Sequence, residues 1–498
     1  MLGLADEVGG DVRGIGRVVG QDHDLGGSGL GVDADDALQG ALGRGDVDVA
    51  WPGHEIHRRA GGAVLEGDVV GLHQGEDAAA RLIGIAAREV LRRNPFGAIE
   101  RDGEGIVAGA AALEEALLHH AAHDVREIED ALGDGQERRV SQGEMINREN
   151  LGKSLVATTA LRKGTVLQAH HVKARSPGQG LSPQYYEQLL GRTLQHDMQE
   201  EDFFYASDLA DERVEPRSIY RFRRPWGVPV RYHDFKDYAN RIRPDLFEFH
   251  LSYSDMELDP ADYLSGLYEA DFVVHAPELF EGSKLMDLAS PDSSYRAESI
   301  RDTQRVINIT RALKKFFPNT QRPMIVANIG GFSMDAPLPA GVISEYYERF
   351  ARSLSELDLD GVELIPQTMA PFPWHFGGQR YQNLFVKSEE IVHWCDKLNL
   401  RMCFDISHTR LTCNHLGVDF YEFSRRISPL TAHLHLGDAQ GLNGEGLQIG
   451  EGDIDFARLG KILDAGCPSA SFIPEIWQGH KNGGEGFWIA LEKLEGAL

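Results

Sequence analysis

Eight short apolar runs, each followed by a helical or loop-helix stretch, fill residues 225–498 and constrain the fold of this chain more than any other feature. The runs are Val228–Tyr232, Leu246–Leu251, Phe272–His275, Met324–Asn328, Gly361–Ile365, Met402–Asp405, Ala432–His435 and Ser471–Glu475. Helical periodicity follows over Ser299–Phe317, Val342–Leu357, Ser388–Leu398, Asp455–Ala465 and Gly486–Leu494. Eight β-α alternations in a segment of this size predict an α/β protein with a closed (β/α)8 barrel, or TIM barrel. In that architecture, side chains that do chemistry lie at the C-terminal ends of the strands.

Several of these runs end in polar residues. Met402-Cys403-Phe404-Asp405 is followed one turn later by His408, and three other runs carry Glu363, His435 and Glu475. Three carboxylates and an imidazole from adjacent strands make an oxygen-rich ligand set for Mn2+, Mg2+ or Co2+, with Zn2+ also accepted. Without a cation, carboxylates so close would repel and raise one another's pKa. His433 and His435 share a strand face; the later one is expected at the mouth and the earlier one a layer deeper. His275, His408 and Asp438 are expected to contact substrate, and Trp374, His375 and Phe376 to cap the pocket.

The formal net charge of −27 over 498 residues disfavours a nucleic-acid backbone or an anionic membrane as partner. The four cysteines, Cys395, Cys403, Cys413 and Cys467, form no CxxC pair and fit a reducing cytoplasm. The N-terminus lacks the basic and apolar regions of a signal peptide, and no apolar run is long enough to span a bilayer.

Residues 1–120 differ in kind. No Lys precedes Lys153, no Thr precedes Thr158, and Trp51 and Phe96 are the only aromatics of the segment. It is read as a Gly/Asp/Ala-rich disordered extension or as a mistranslated frame joined to a real gene. A helix is expected over 110–132, leading into a helix-and-linker segment over 121–146. Residues 147–212 read as a small β-rich domain.

The stretches "KSLVA", "LRKGTVL", "KARSPGQGLSP" and "YYEQLLGRTL" in that domain closely resemble the C-terminal antifreeze-like (SAF) domain of sialic acid synthases. The preceding linker resembles the end of their catalytic barrel. The resemblance implies that Arg175, in the loop Arg175-Ser176-Pro177-Gly178, contacts a sugar in a partner subunit. Serine stands where the family has its arginine, and the synthase barrel is not recognisable upstream.

Over 225–498, "VVHAPE", "GVELIP", "FDISH", "HLHLGD", "GEGDIDF" and "IPEIW" resemble the xylose isomerase-like sugar phosphate isomerase/epimerase barrels. That resemblance implies metal binding by Glu363, Asp405, His435 and Glu475, with Glu363 and Glu475 moving the proton through an enediolate. The family's substrate-binding arginine has no match near Gln440. The expected activity is metal-dependent isomerisation or epimerisation of a sugar or sugar phosphate. Its expected setting is sialic-acid-like (nonulosonic acid) or surface-polysaccharide biosynthesis. Two alternatives are an accessory module of a sialic acid synthase, and an endonuclease IV-like phosphodiesterase, for which the pocket histidines look too few. A homodimer through the SAF domain, or association with a synthase, is the expected assembly.

Overall fold

The computed structural model describes residues 142–210, 214–334, 336–372 and 380–498, together with the backbone of 46–51 and 54–59. These last two segments pair antiparallel, with Asp46 opposite Arg59 and Trp51 opposite His54. The helix expected over 110–132, and the loop residues Trp374, His375 and Phe376, lie outside the described residues.

A helix, Gln142–Leu151, leads into a small unit whose strands Ser154–Ala157 and Val172–Arg175 pair antiparallel. Its core is Leu155, Leu167, Val172, Leu189, Met198 and Phe204. Ser154 ties the Pro/Gly loop down. Its Oγ donates to Pro177 O (2.7 Å) and accepts from Gly180 N (2.7 Å). Gly191 ends the short helix Tyr186–Leu189 with φ 80°, a conformation that costs a glycine least.

The remainder is built on eight parallel strands: β1 Gly227–Val230, β2 Leu246–His250, β3 Asp271–His275, β4 Met324–Ala327, β5 Glu363–Pro366, β6 Met402–Asp405, β7 Thr431–Leu436 and β8 Ser471–Pro474. Strands β1 to β5 form one continuous ladder and β6 to β8 another. Single parallel bridges, Gln367 to Cys403 and Trp226 to Phe472, join the two ladders and close the barrel.

Alternation along each strand sorts the side chains. Phe249, Phe272, Ile325, Leu364, Phe404, Leu434 and Phe472 belong to the large core cluster that also takes in the surrounding helices. Leu246, Val273, Val326, Ile365, Cys403, Ala432 and Ile473 form a separate buried cluster inside the barrel. This apolar plug supports the polar residues one step further along the strands. All four cysteines are free and buried, and no helix among the described residues is long and apolar enough to cross a membrane.

The fifth strand differs from expectation. Gly361 has φ 73° and Val362 N donates to Leu359 O (3.2 Å), so the chain is still turning where a strand was expected. The strand begins at Glu363 and reaches the barrel mouth at Gln367.

Candidate metal centre at the barrel mouth

Glu248 organises the interior. Its carboxylate bridges His433 Nε2 (2.6 Å) and His435 Nε2 (3.0 Å), and His250 Nε2 lies 3.0 Å away. Strands β2 and β7 are not neighbours, so these bonds run across the barrel. Burial opposes the Glu248 charge, yet His435 and His433 hold its carboxyl well below the usual range. Sequence reasoning missed Glu248, although Leu246, Glu248 and His250 alternate with Phe247 and Phe249 along β2.

Because Glu248 engages His435 through Nε2, the other ring nitrogen faces the mouth. Nδ1 lies 2.6 Å from Glu475 Oε2 and 3.7 Å from Asp405 Oδ2. Asp405, His435 and Glu475 thus each offer one donor atom, all within 4.8 Å of one another. Asp405 is fixed twice: Oδ1 caps the following helix Ile406–Leu416 by accepting from His408 N (2.8 Å), and its own backbone N donates to Thr368 Oγ1 (2.9 Å).

These residues fit a divalent cation. Glu475 Oε2 is buried without a hydrogen bond of proper geometry despite its 2.6 Å approach to His435. Burial disfavours the His435 charge, but the neighbouring Cys403 sulfur and the Glu248 and Glu475 carboxylates raise its pKa well above the usual value. Glu475, against the effect of burial, is held well below the carboxylate range by His435. A centre that stabilises an imidazolium between carboxylates is one that attracts positive charge. Beside it lies a cavity of about 30 Å3 lined by Asp405, His408, Glu445, Glu475 and Trp477 among others, room for a cation or one water.

Glu363 is not part of this cluster. At the N-terminal start of β5, its carboxylate is clamped by Arg401, with Nε to Oε1 at 2.8 Å and NH2 to Oε2 at 2.6 Å. That pair holds its pKa low in spite of partial burial. Four residues of extended chain span roughly 13 Å, which puts Glu363 at the opposite mouth. The residue at the cluster, one step past the end of β5, is Gln367. Its Nε2 lies 2.9 Å from Asp405 Oδ2 and 3.3 Å from His435 Nδ1, and its Oε1 lies 3.2 Å from His275 Nε2.

The other expected residues divide. His275 reaches the cluster, with Nδ1 2.9 Å from Ala276 O, so it orients Gln367. His408 is buried, with both nitrogens engaged by protein: Nδ1 with Thr368 O (3.0 Å) and Nε2 with Glu445 Oε1 (2.9 Å). Burial would lower its pKa, but Asp405 and Glu445 push it up to about 10, so it is a cationic brace rather than an open substrate contact. Asp438 is fully buried and accepts from the backbone N of Ala439 (2.9 Å), Gly450 (2.9 Å), Gly452 (3.0 Å) and Ile454 (3.2 Å). It folds the rim loop and has no lone pair left for a sugar. Arg175 stays in the small β unit, 3.5 Å from Glu201 and largely exposed. His433 is the deeper histidine, held between Glu248 and Ser471 Oγ (2.8 Å). With His250, His275, His408 and His435 it makes five buried histidines among the described residues, more than the sequence led us to expect.

The small unit matches the SAF domain over residues 152–210. The chain is similar to an N,N'-diacetyllegionaminic acid synthase of Campylobacter jejuni, 30% identical over 92 residues, covering 18% of this chain and 27% of that protein. It is also similar to a pseudaminic acid synthase of Campylobacter jejuni, 34% identical over 84 residues, covering 17% of this chain and 24% of that protein. The chain thus spans about a quarter of the length of these curated relatives. Among solved structures, a D-tagatose 3-epimerase-like protein aligns with TM-score 0.41 and 20% identity, over 55% of this chain and 98% of its own. An L-ribulose 3-epimerase aligns with TM-score 0.39 and 16% identity, over 55% and 93%. The family model for the xylose isomerase-like TIM barrel matches residues 240–493, about half of the chain, and the protein belongs to that family.

Proposed function

We propose that this chain is a metal-dependent sugar isomerase or epimerase working through an enediolate. The observation that carries this reading is the convergence of Asp405, His435 and Glu475 donor atoms at the C-terminal mouth of the barrel. A divalent cation held there supplies electrophilic stabilisation of the oxyanion that forms when a carbonyl is enolised. Glu475 is the carboxylate placed to take the proton from the carbon beside that carbonyl and to give it back. Glu248 fixes the ring of His435, and the His408–Glu445 pair braces Asp405 and the rim. Mn2+, Mg2+ and Co2+ suit the oxygen-rich set, and Zn2+ is compatible with it.

The substrate class we favour is a free or phosphorylated sugar of nonulosonic-acid or surface-polysaccharide biosynthesis. It is supported by the SAF match and by its similarity to legionaminic and pseudaminic acid synthases. Within that setting the SAF unit serves dimerisation or docking on a synthase. A phosphodiesterase reading gains from the five buried histidines, but Glu248 already engages His433 and His435, and Glu445 engages His408. The acidic balance of the chain also argues against a DNA substrate.

The test is deuterium wash-in at carbon, followed by NMR, with candidate sugars, the full chain and added Mn2+. Exchange that vanishes with EDTA and in Glu475→Gln supports the proposal. Absence of exchange from every aldose, ketose and sugar phosphate tried, by a metal-loaded protein, would sink it.

A further inference from the structure

The chain that follows β8 is held from outside the barrel. Lys481 Nζ lies 3.3 Å from Glu149 Oε2, near the end of helix Gln142–Leu151. Asn482 Nδ2 donates to Ser207 Oγ of the SAF unit (3.1 Å). Gly483 O accepts from Arg241 Nη1 (2.7 Å), and Arg241 Nη2 lies 3.6 Å from Glu215 in the segment that leaves that unit. The pair of Lys481 and Glu149 is no loose surface contact: the two side chains are 15% and 8% exposed, against 86% and 50% for Arg162 and Asp197. Glu149 is itself fixed to the Pro/Gly loop. Gly178 N donates to Glu149 O (2.8 Å), and a Cβ on Gly178 would meet Arg148 O at 2.1 Å, so only glycine allows the approach.

These ties land where the backbone is least settled by itself. Gln478 (φ 60°) and Asn482 (φ 52°) are left-handed without being glycine, a conformation that persists only where neighbours over-determine it. Between them, His480 lines a cavity of about 50 Å3 with Arg231, His233 and His250, room for about four water-sized groups. The His250 ring lies 4.8 Å from that of His275 and 6.1 Å from that of His435, so the cavity adjoins the metal centre. Trp477, two residues after Glu475, lines the smaller cavity beside that carboxylate. We infer that the SAF unit acts within its own chain as a brace for residues 476–484, setting His480 against the sugar and so governing how tightly substrate is held. This rests on the enzymatic reading above and gives the SAF unit a role in it. The Pro/Gly loop contributes by holding the helix end that carries Glu149.

The experiment reads the full chain three ways: hydrogen exchange over 476–484 by mass spectrometry, Mn2+ titration by calorimetry, and KM and kcat from deuterium wash-in with D-fructose and D-fructose 6-phosphate as probes. Glu149→Gln should speed exchange of this segment about tenfold and raise KM about tenfold, with Mn2+ affinity unchanged. Ser207→Ala, the milder change, should move both in the same direction. Reversing the pair, Glu149→Lys with Lys481→Glu, should recover much of each, which a general loss of stability would not allow. His480→Ala should raise KM alike, and Arg162→Ala, at the exposed pair, should change nothing. Folded Glu149 and Ser207 variants with exchange unchanged, or with faster exchange and the KM of the parent, overturn the inference, as does a His480→Ala protein with that KM. A parent that binds Mn2+ but exchanges no sugar proton ends the enzymatic reading, and hydrogen exchange over 476–484 then decides the brace by itself.

Discussion

Replacing Glu248 by alanine should unsettle the barrel more than any other single change near the mouth. The side chain is wholly buried and meets three imidazoles at 2.6–3.0 Å. Its loss strands the donors of His433 and His435 inside the barrel. Each buried donor left unsatisfied costs about 1–3 kcal/mol, and breaking a buried ionic network typically costs about 3–5 kcal/mol in all. For a domain of this size that is a fall in Tm of roughly 6–20 °C. The second consequence is functional. Without the carboxylate at Nε2, His435 no longer presents Nδ1 in one fixed orientation, and Mn2+ affinity should drop about 10- to 100-fold. Thermal melts followed by circular dichroism, paired with calorimetric Mn2+ titration below the melting range, read both effects. Glu248→Gln keeps the volume but can accept from only one of the two histidines, so it should fall between the parent and Glu248→Ala on each axis. A Glu248→Ala protein within about 1 kcal/mol of the parent, with unchanged Mn2+ affinity, would refute the reasoning.

Three further outcomes are expected. Asp438→Ala should unfold the rim loop over 448–455 and cost about 2–4 kcal/mol, since four backbone N–H groups lose their acceptor; limited proteolysis that cuts this loop no faster than in the parent would contradict it. Glu363→Gln should change stability by less than about 1 kcal/mol and leave wash-in rates alone, whereas Glu475→Gln should lose about 100-fold or more in rate. Asp287, buried and bonded to Ala289 N (3.0 Å) and Gly331 N (2.8 Å), has its carboxyl pushed up from 3.8 to about 6 by burial. The folded protein therefore holds that proton more tightly, a contribution present in full below about pH 4 and lost as pH rises through 6. It amounts to roughly 3 kcal/mol, so the stability difference between the parent and Asp287→Asn should shift by most of that amount, about 2 kcal/mol, between pH 4 and pH 7 in urea titrations.

Much of the barrel was legible because the eight apolar runs are short and end in polar residues. Asp405, His435 and Glu475 were found on that signal, and the two-residue spacing of His433 and His435 correctly ordered them by depth. The error at β5 has a plain cause. Glu363, Ile365 and Gln367 share one face of the strand, so alternation could not say which end met the mouth; the turn at Gly361 shifted the strand and left Glu363 with Arg401. Glu248 was hidden because an acid inside an apolar run reads as a surface residue until its partners across the barrel are known. The role of Asp438 was not readable at all, since three of the four backbone N–H groups that define it belong to a loop more than ten positions away.

The account stands on Asp405, His435 and Glu475 sharing one cation. Crystals of the full chain grown with Mn2+ and measured at the manganese absorption edge test this directly. The prediction is one anomalous peak about 2.0–2.6 Å from an Asp405 carboxylate oxygen, His435 Nδ1 and Glu475 Oε2. A peak at Glu363 and Arg401, or no peak at the barrel mouth at saturating Mn2+, would contradict it.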